Sequence, residues 1–205
     1  MKTQERATAL RRGLRLEYLS VVWNVGEAVV AIAAGAVAGS VALVGFGLDS
    51  VVEASSASIL VWRLTSERRG RHADTLERPA IRAVAIAFWA LAAYVATKAT
   101  FDLVTASRPE ESLAGIILAS VSLAGMPVLA YAKRRASKQL GSHAMHADAK
   151  QTILCTYLSA ALLAGLVLNA ALGWWWADPV SALVIATLAA REGYQLWVTE
   201  DPDCC

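Results

Sequence analysis

Asp49 and Glu53 stand four residues apart inside an apolar run, 41–62. On a helix, residues at i and i+4 share a face, so the two carboxyl groups point the same way. A charge near the centre of a bilayer costs about 2.5–3.5 kcal/mol on insertion scales, and carboxylates kept there mark ion or proton pathways. A second pair, Gln151 and Cys155, repeats the spacing in a later apolar run. Two carboxylates, one thiolate and one amide oxygen make a four-coordinate donor set. Mixed oxygen and sulfur donors suit Zn²⁺ and other borderline divalent ions better than Mg²⁺ or Ca²⁺.

The competing structural role for Asp49 and Glu53 is an ion pair with a basic residue. Within the apolar runs the basic residue is Lys98, and Asp102 at i+4 on the same run is its ready partner. Both carboxylates of the second run are thus left to a cation, a proton or water. Gln151 and Cys155 alone would say little, because a cysteine in an apolar helix behaves as a small hydrophobe. Topology gives them weight. If the second run crosses in one direction and the fifth in the other, Asp49 falls at about the depth of Cys155, and Glu53 at that of Gln151.

Other polar residues are weaker candidates. Asn24 and Glu27, on the first run, either line an aqueous cavity or bond across to a neighbouring helix. His143, His146 and Asp148 stand at the entrance to the fifth run, and His72 and Asp74 in the second loop; solvation is their simpler role. The ending Asp201-Pro202-Asp203-Cys204-Cys205 combines carboxylates and thiols that could capture metal in passing. No nucleophile–base constellation accompanies Cys155, so an enzyme is not expected.

The elements that must position these residues are membrane helices. Of the 205 residues, 57% are hydrophobic, and the mean hydropathy is +0.47. The apolar residues gather in blocks of the roughly 20 residues needed to cross hydrocarbon. Six such runs are readable: 17–38, 41–62, 80–101, 113–132, 148–171 and 179–196. The expected fold is an all-α membrane protein, a six-helix transmembrane bundle with both termini cytoplasmic. Its divisions are a basic N-terminal tail, 1–15, a transport domain, 16–198, and a short Asp/Cys tail, 199–205, with no extramembrane domain after the last helix. The charged start is not a cleavable signal.

Net charge is only +2, but it is unevenly placed. Arginines and lysines crowd the N-terminal tail, the second loop (Arg63, Arg68, Arg69, Arg71, Arg78, Arg82) and the fourth (Lys133, Arg134, Arg135, Lys138), while the intervening loops are nearly free of them. Such an excess marks cytoplasmic loops, which puts the protein in the cell membrane with both ends inside. These loops lack interleaved aromatics, so nucleic acid is excluded as a partner. Three cysteines make no disulfide framework. Trp174, Trp175 and Trp176 suit an interfacial anchor. Gly26, Ala31, Gly35 and Gly39 give the first run small residues for close helix packing, and only Gly39-Ser40 separates it from the second.

The run Gly39-Ser40-Val41-Ala42-Leu43-Val44-Gly45-Phe46-Gly47-Leu48-Asp49-Ser50-Val51-Val52-Glu53 resembles the second transmembrane helix of the cation diffusion facilitator family. There, His or Asp four residues before an Asp supplies half of the transport site. Ala147-Asp148-Ala149-Lys150-Gln151-Thr152-Ile153-Leu154-Cys155 is similar to the start of that family's fifth helix, with its His-xxx-Asp pair. Trp176-Ala177-Asp178-Pro179, with Glu192-Gly193-Tyr194, resembles its sixth. The resemblance implies a homodimer, embedded in lipid, that exports divalent metal in exchange for protons, with no bound cofactor beyond the transported ion. Asp49, Glu53, Gln151 and Cys155 then occupy the ligand positions, departing from the family as Glu for Asp, Gln for His and Cys for Asp. Zn²⁺ is the expected cargo, with Fe²⁺, Mn²⁺, Co²⁺, Ni²⁺ or Cd²⁺ as alternatives. The cytoplasmic domain usual in that family is not expected after the sixth helix, and the dimer would then rest on membrane helices or loops. Two rival readings are a metal-binding membrane sensor without transport and an exporter of small organic cations, with Trp23 and Phe46 around the amine.

Overall fold

The computed structural model describes residues 3–68 and 77–199, with side chains for 8–66, 82–142, 145, 146 and 148–198. Every regular element among them is a helix: α1 (Thr3–Ala38), α2 (Val41–Arg68), α3 (Glu77–Thr105), α4 (Leu113–Leu140), α5 (His143–Leu172) and α6 (Ala177–Thr199). At 1.5 Å per residue these are about 34–54 Å long, enough to cross the roughly 30 Å hydrocarbon core. Five, α1 to α5, contain stretches apolar enough to cross a membrane by composition. The sixth carries Asp178, Arg191 and Glu192 and is not among those five.

The turns are set by local chemistry. Ser112 and Ser142 cap α4 and α5, their hydroxyls accepting from the amides of Gly115 and Met145. Gly141 and Gly173 close the same two helices in the left-handed conformation, at φ 65° and 66°, which costs glycine little. Trp174 and Trp176 stack just beyond α5, with ring centroids 5.1 Å apart.

The main pairings are α1 with α2, α4 with α5, and α3 with α6; α2 also touches α3, α5 and α6, and α1 touches α4. The helix bearing Asp49 and Glu53 is therefore central. Close approach of α1 and α2 depends on glycine: a methyl added at Gly47 would lie 2.7 Å from Ile32 Cγ1 and 3.0 Å from the Ile32 amide nitrogen. The distribution of polarity is the reverse of a water-soluble protein. Glu17, Glu27, Asp49, Glu53 and Asp148 are buried, while Val22, Val29, Val37, Val104 and Leu113 are exposed. Only a hydrocarbon surrounding makes that arrangement favourable.

The structure adds to the reading of the N-terminal stretch and corrects that of the basic residues. Helix α1 runs unbroken from Thr3 through the basic stretch to Ala38. Leu10 and Leu14, one turn apart, are buried against Leu60, Leu64, Ala136 and Met145, so the basic stretch carries an apolar stripe of its own. Lys98 is not the sole basic residue inside the bundle. Helix α4 continues past the apolar run to Leu140, and Lys133, expected in a loop, is 1% exposed. Hydropathy ends a span at its first lysine; a buried acidic partner lets the helix carry that lysine inward.

Candidate metal centre

The local frame of the site begins at the start of α2. Ser40 Oγ accepts from the Leu43 amide at 3.1 Å and donates to Asp178, at the start of α6. The other carboxylate oxygen of Asp178 accepts from the Ala42 amide at 3.3 Å. The unpaired amides of the first turn of α2 are thereby satisfied, and a negative charge meets the positive end of its dipole. This clamp holds α2 against α6 two turns before Asp49.

Further along α2, Asp49 and Glu53 are each 3% exposed; on α5, Gln151 is 4% and Cys155 1% exposed. One oxygen of Asp49, one of Glu53 and the Cys155 sulfur all lie within 4.8 Å of one another. Cys155 therefore meets both carboxylates rather than Asp49 alone. Gln151 lies one turn nearer the start of α5, on the face that Cys155 shares. Its amide nitrogen is buried without a hydrogen-bond partner, as is Glu53 Oε2. Buried polar atoms are normally paired; of these two, the Glu53 oxygen is an acceptor that a cation or a proton could satisfy, whereas the amide nitrogen is a donor and not a ligand.

A second layer surrounds this group. Glu27, on α1, accepts hydrogen bonds from Ser50 on α2, at 3.0 Å, and from Ser122 on α4. It ties three helices together. Asn24 is also buried, and its Oδ1 has no partner. Asp148 is drawn elsewhere: it pairs with Lys133, which also lies 3.1 Å from Glu17 Oε2. Lys98 pairs with Asp102, as the spacing suggests. Among the described residues, the buried carboxyl groups of Glu17, Glu27, Asp49, Glu53, Asp102, Asp148 and Asp178 share the bundle interior with one buried ammonium, that of Lys133. Burial disfavours the charged form of each, so such an excess must be met by protons or by cations.

Lys133 and Asp178 escaped the sequence reading as functional neighbours. For Lys133 a signal existed: Glu17, Lys133 and Asp148 stand at the same end of three spans. His72, Asp74, Asp201, Asp203, Cys204 and Cys205, and the side chain of His143, lie outside the described residues. His146 is half-buried on α5, away from the carboxylate cluster.

Residues 18–200 match the family described as the cation efflux transmembrane domain. Over 94 residues, 46% of this chain, the sequence is 30% identical to the cation-efflux pump FieF of Shewanella oneidensis. That stretch covers 31% of the pump's own length.

Proposed function

The chain belongs to the cation efflux family, and on that premise we propose that it exports a divalent metal ion held in transit by Asp49, Glu53, Cys155 and Gln151. The observation that carries this reading is the convergence of three potential ligand atoms from two helices within 4.8 Å, all buried. That spacing suits a single bare ion; an organic ammonium with its substituents needs more room. The oxygen and sulfur donors favour Zn²⁺ or a metal of similar softness over Mg²⁺.

Metal enters from the cytoplasm once the carboxyl groups and the thiol have lost their protons, because only deprotonated ligands bind. Gln151 supplies a neutral oxygen, which limits the charge that must be neutralised. After the bundle opens to the other side, protons return to the same groups and displace the ion. Proton coupling here rests on carboxylates and a thiol, since no histidine is in the group. The excess of lysine and arginine in alternate loops supports a cell-membrane orientation with both termini cytoplasmic. A homodimer formed through membrane helices completes the reading, on the strength of the family resemblance.

The experiment is metal uptake into proteoliposomes under a pH gradient. Flux in the unaltered protein, lost in Asp49→Ala and Cys155→Ala, is expected. Flux unchanged in both variants overturns the assignment, and binding without flux in sealed vesicles would point to a sensor instead.

A further inference from the structure

A groove of about 430 Å³ runs between α4 and α5 on the outside of the bundle. Its α4 wall is Pro127, Ala130, Tyr131 and Arg134; its α5 wall is His146, Ala149, Lys150 and Ile153. Each set follows the i, i+3, i+4, i+7 pattern of one helix stripe. The helices are antiparallel neighbours joined at Gly141-Ser142, so the basic ends of the two stripes coincide beside that turn and the apolar ends coincide deeper in the membrane. Polarity along the groove therefore runs from cationic to hydrocarbon-like.

The groove is separate from the metal centre. Lys133 and Gln151 face inward and are buried, while their sequence neighbours Arg134 and Lys150 are exposed. Lys150 has Glu192 of α6 within electrostatic reach. Among the described residues, no ion pair engages Arg134 or His146. Tyr131 is 70% exposed beside Arg134, an amphipathic ring of the kind that sits at headgroup level.

We propose that this groove is a binding site for an anionic phospholipid, its phosphate held by Arg134 and Lys150 and one acyl chain lying along Pro127, Ala130 and Ile153. Charge complementarity selects the occupant: basic pockets between membrane helices recognise anionic headgroups. A zwitterionic lipid offers the same chain without the net charge, and a free phosphate offers the charge without the chain.

The test is native mass spectrometry of the full chain in neutral detergent. It is titrated with phosphatidylglycerol or with phosphatidylcholine of the same chains, and inorganic phosphate is added as competitor. Phosphatidylglycerol is expected to bind at least tenfold more tightly than phosphatidylcholine and to resist inorganic phosphate. Arg134→Gln with Lys150→Gln is expected to weaken it about twenty-fivefold, at about fivefold per basic residue. Ile153→Trp, which fills the apolar end and keeps both charges, should also weaken it. Both sites are exposed, and an unchanged thermal transition in detergent identifies variants that fold; if the double variant fails that check, Arg134→Gln alone is read. Equal binding of the two lipids, or phosphatidylglycerol binding unaffected by removal of the charges, overturns the proposal. Displacement by inorganic phosphate also overturns it, by assigning the site to a free anion.

Discussion

Lys133 Nζ lies 3.1 Å from Glu17 Oε2, joining α4 to α1 inside the bundle, with Asp148 of α5 bound to the same ammonium. All three side chains are buried, so the cluster is a three-helix staple whose members depend on one another. Breaking a buried ion pair from one side costs about 3–5 kcal/mol, because the remaining charge is stranded. Lys133→Met is therefore expected to lower thermal stability in detergent sharply. Adding Glu17→Gln and Asp148→Asn to that variant should recover much of the loss, since no unpaired charge would remain. If the triple variant is as unstable as Lys133→Met, the cluster does not act through charge.

Cys155 sets the softness of the proposed site. Cys155→Ser keeps the size but replaces sulfur with oxygen, and it is expected to weaken Cd²⁺ or Zn²⁺ binding at least tenfold, about 1.4 kcal/mol, and Mn²⁺ binding much less. Calorimetric titration with each metal checks the difference. Loading with Co²⁺ adds a direct readout, as the thiolate-to-metal charge-transfer absorption should vanish in Cys155→Ser.

Metal and protons compete for the same atoms, so apparent affinity should rise with pH. The sign follows from mass action: binding releases protons, and lower proton concentration favours release. Calorimetry in buffers of different ionisation enthalpy counts the protons given up per metal bound. Cys155→Ala should reduce that count by up to one, and Asp49→Asn or Glu53→Gln should do likewise. Affinity independent of pH in the unaltered protein would contradict binding through these groups.

Much of this architecture could be read from the chain because its signals are local. Long apolar runs mark helices, and the i,i+4 spacing of Asp49 with Glu53 and of Gln151 with Cys155 puts each pair on one face. What escaped was non-local. The helical start at Thr3 and the continuation of α4 to Leu140 depend on buried partners that a hydropathy profile does not see. Lys133 looked like the end of a span because its compensating acids are on other helices. Asp178 stood out as part of a motif, but nothing in its neighbourhood along the chain says that it reaches the first turn of α2.

That reach of Asp178 supports a further test. Its carboxylate receives the Ser40 hydroxyl and the Ala42 amide, so it caps the helix that carries Asp49 and Glu53 from a different helix. Loss of a helix cap costs about 0.5–2 kcal/mol, and Asp178→Ala should lower stability by that order. Asp178→Asn keeps the shape and one accepting oxygen, yet loses the charge facing the helix dipole, and should cost less. Because the clamp holds α2 to α6 without touching metal, equilibrium metal affinity should change little in either variant. Transport should fall more than affinity if movement of α2 and α6 as one body is part of the switch between inward and outward forms. Flux and calorimetry on the same preparations separate the two: an affinity loss as large as that of Asp49→Asn would mean that Asp178 shapes the site itself rather than the helix bearing it.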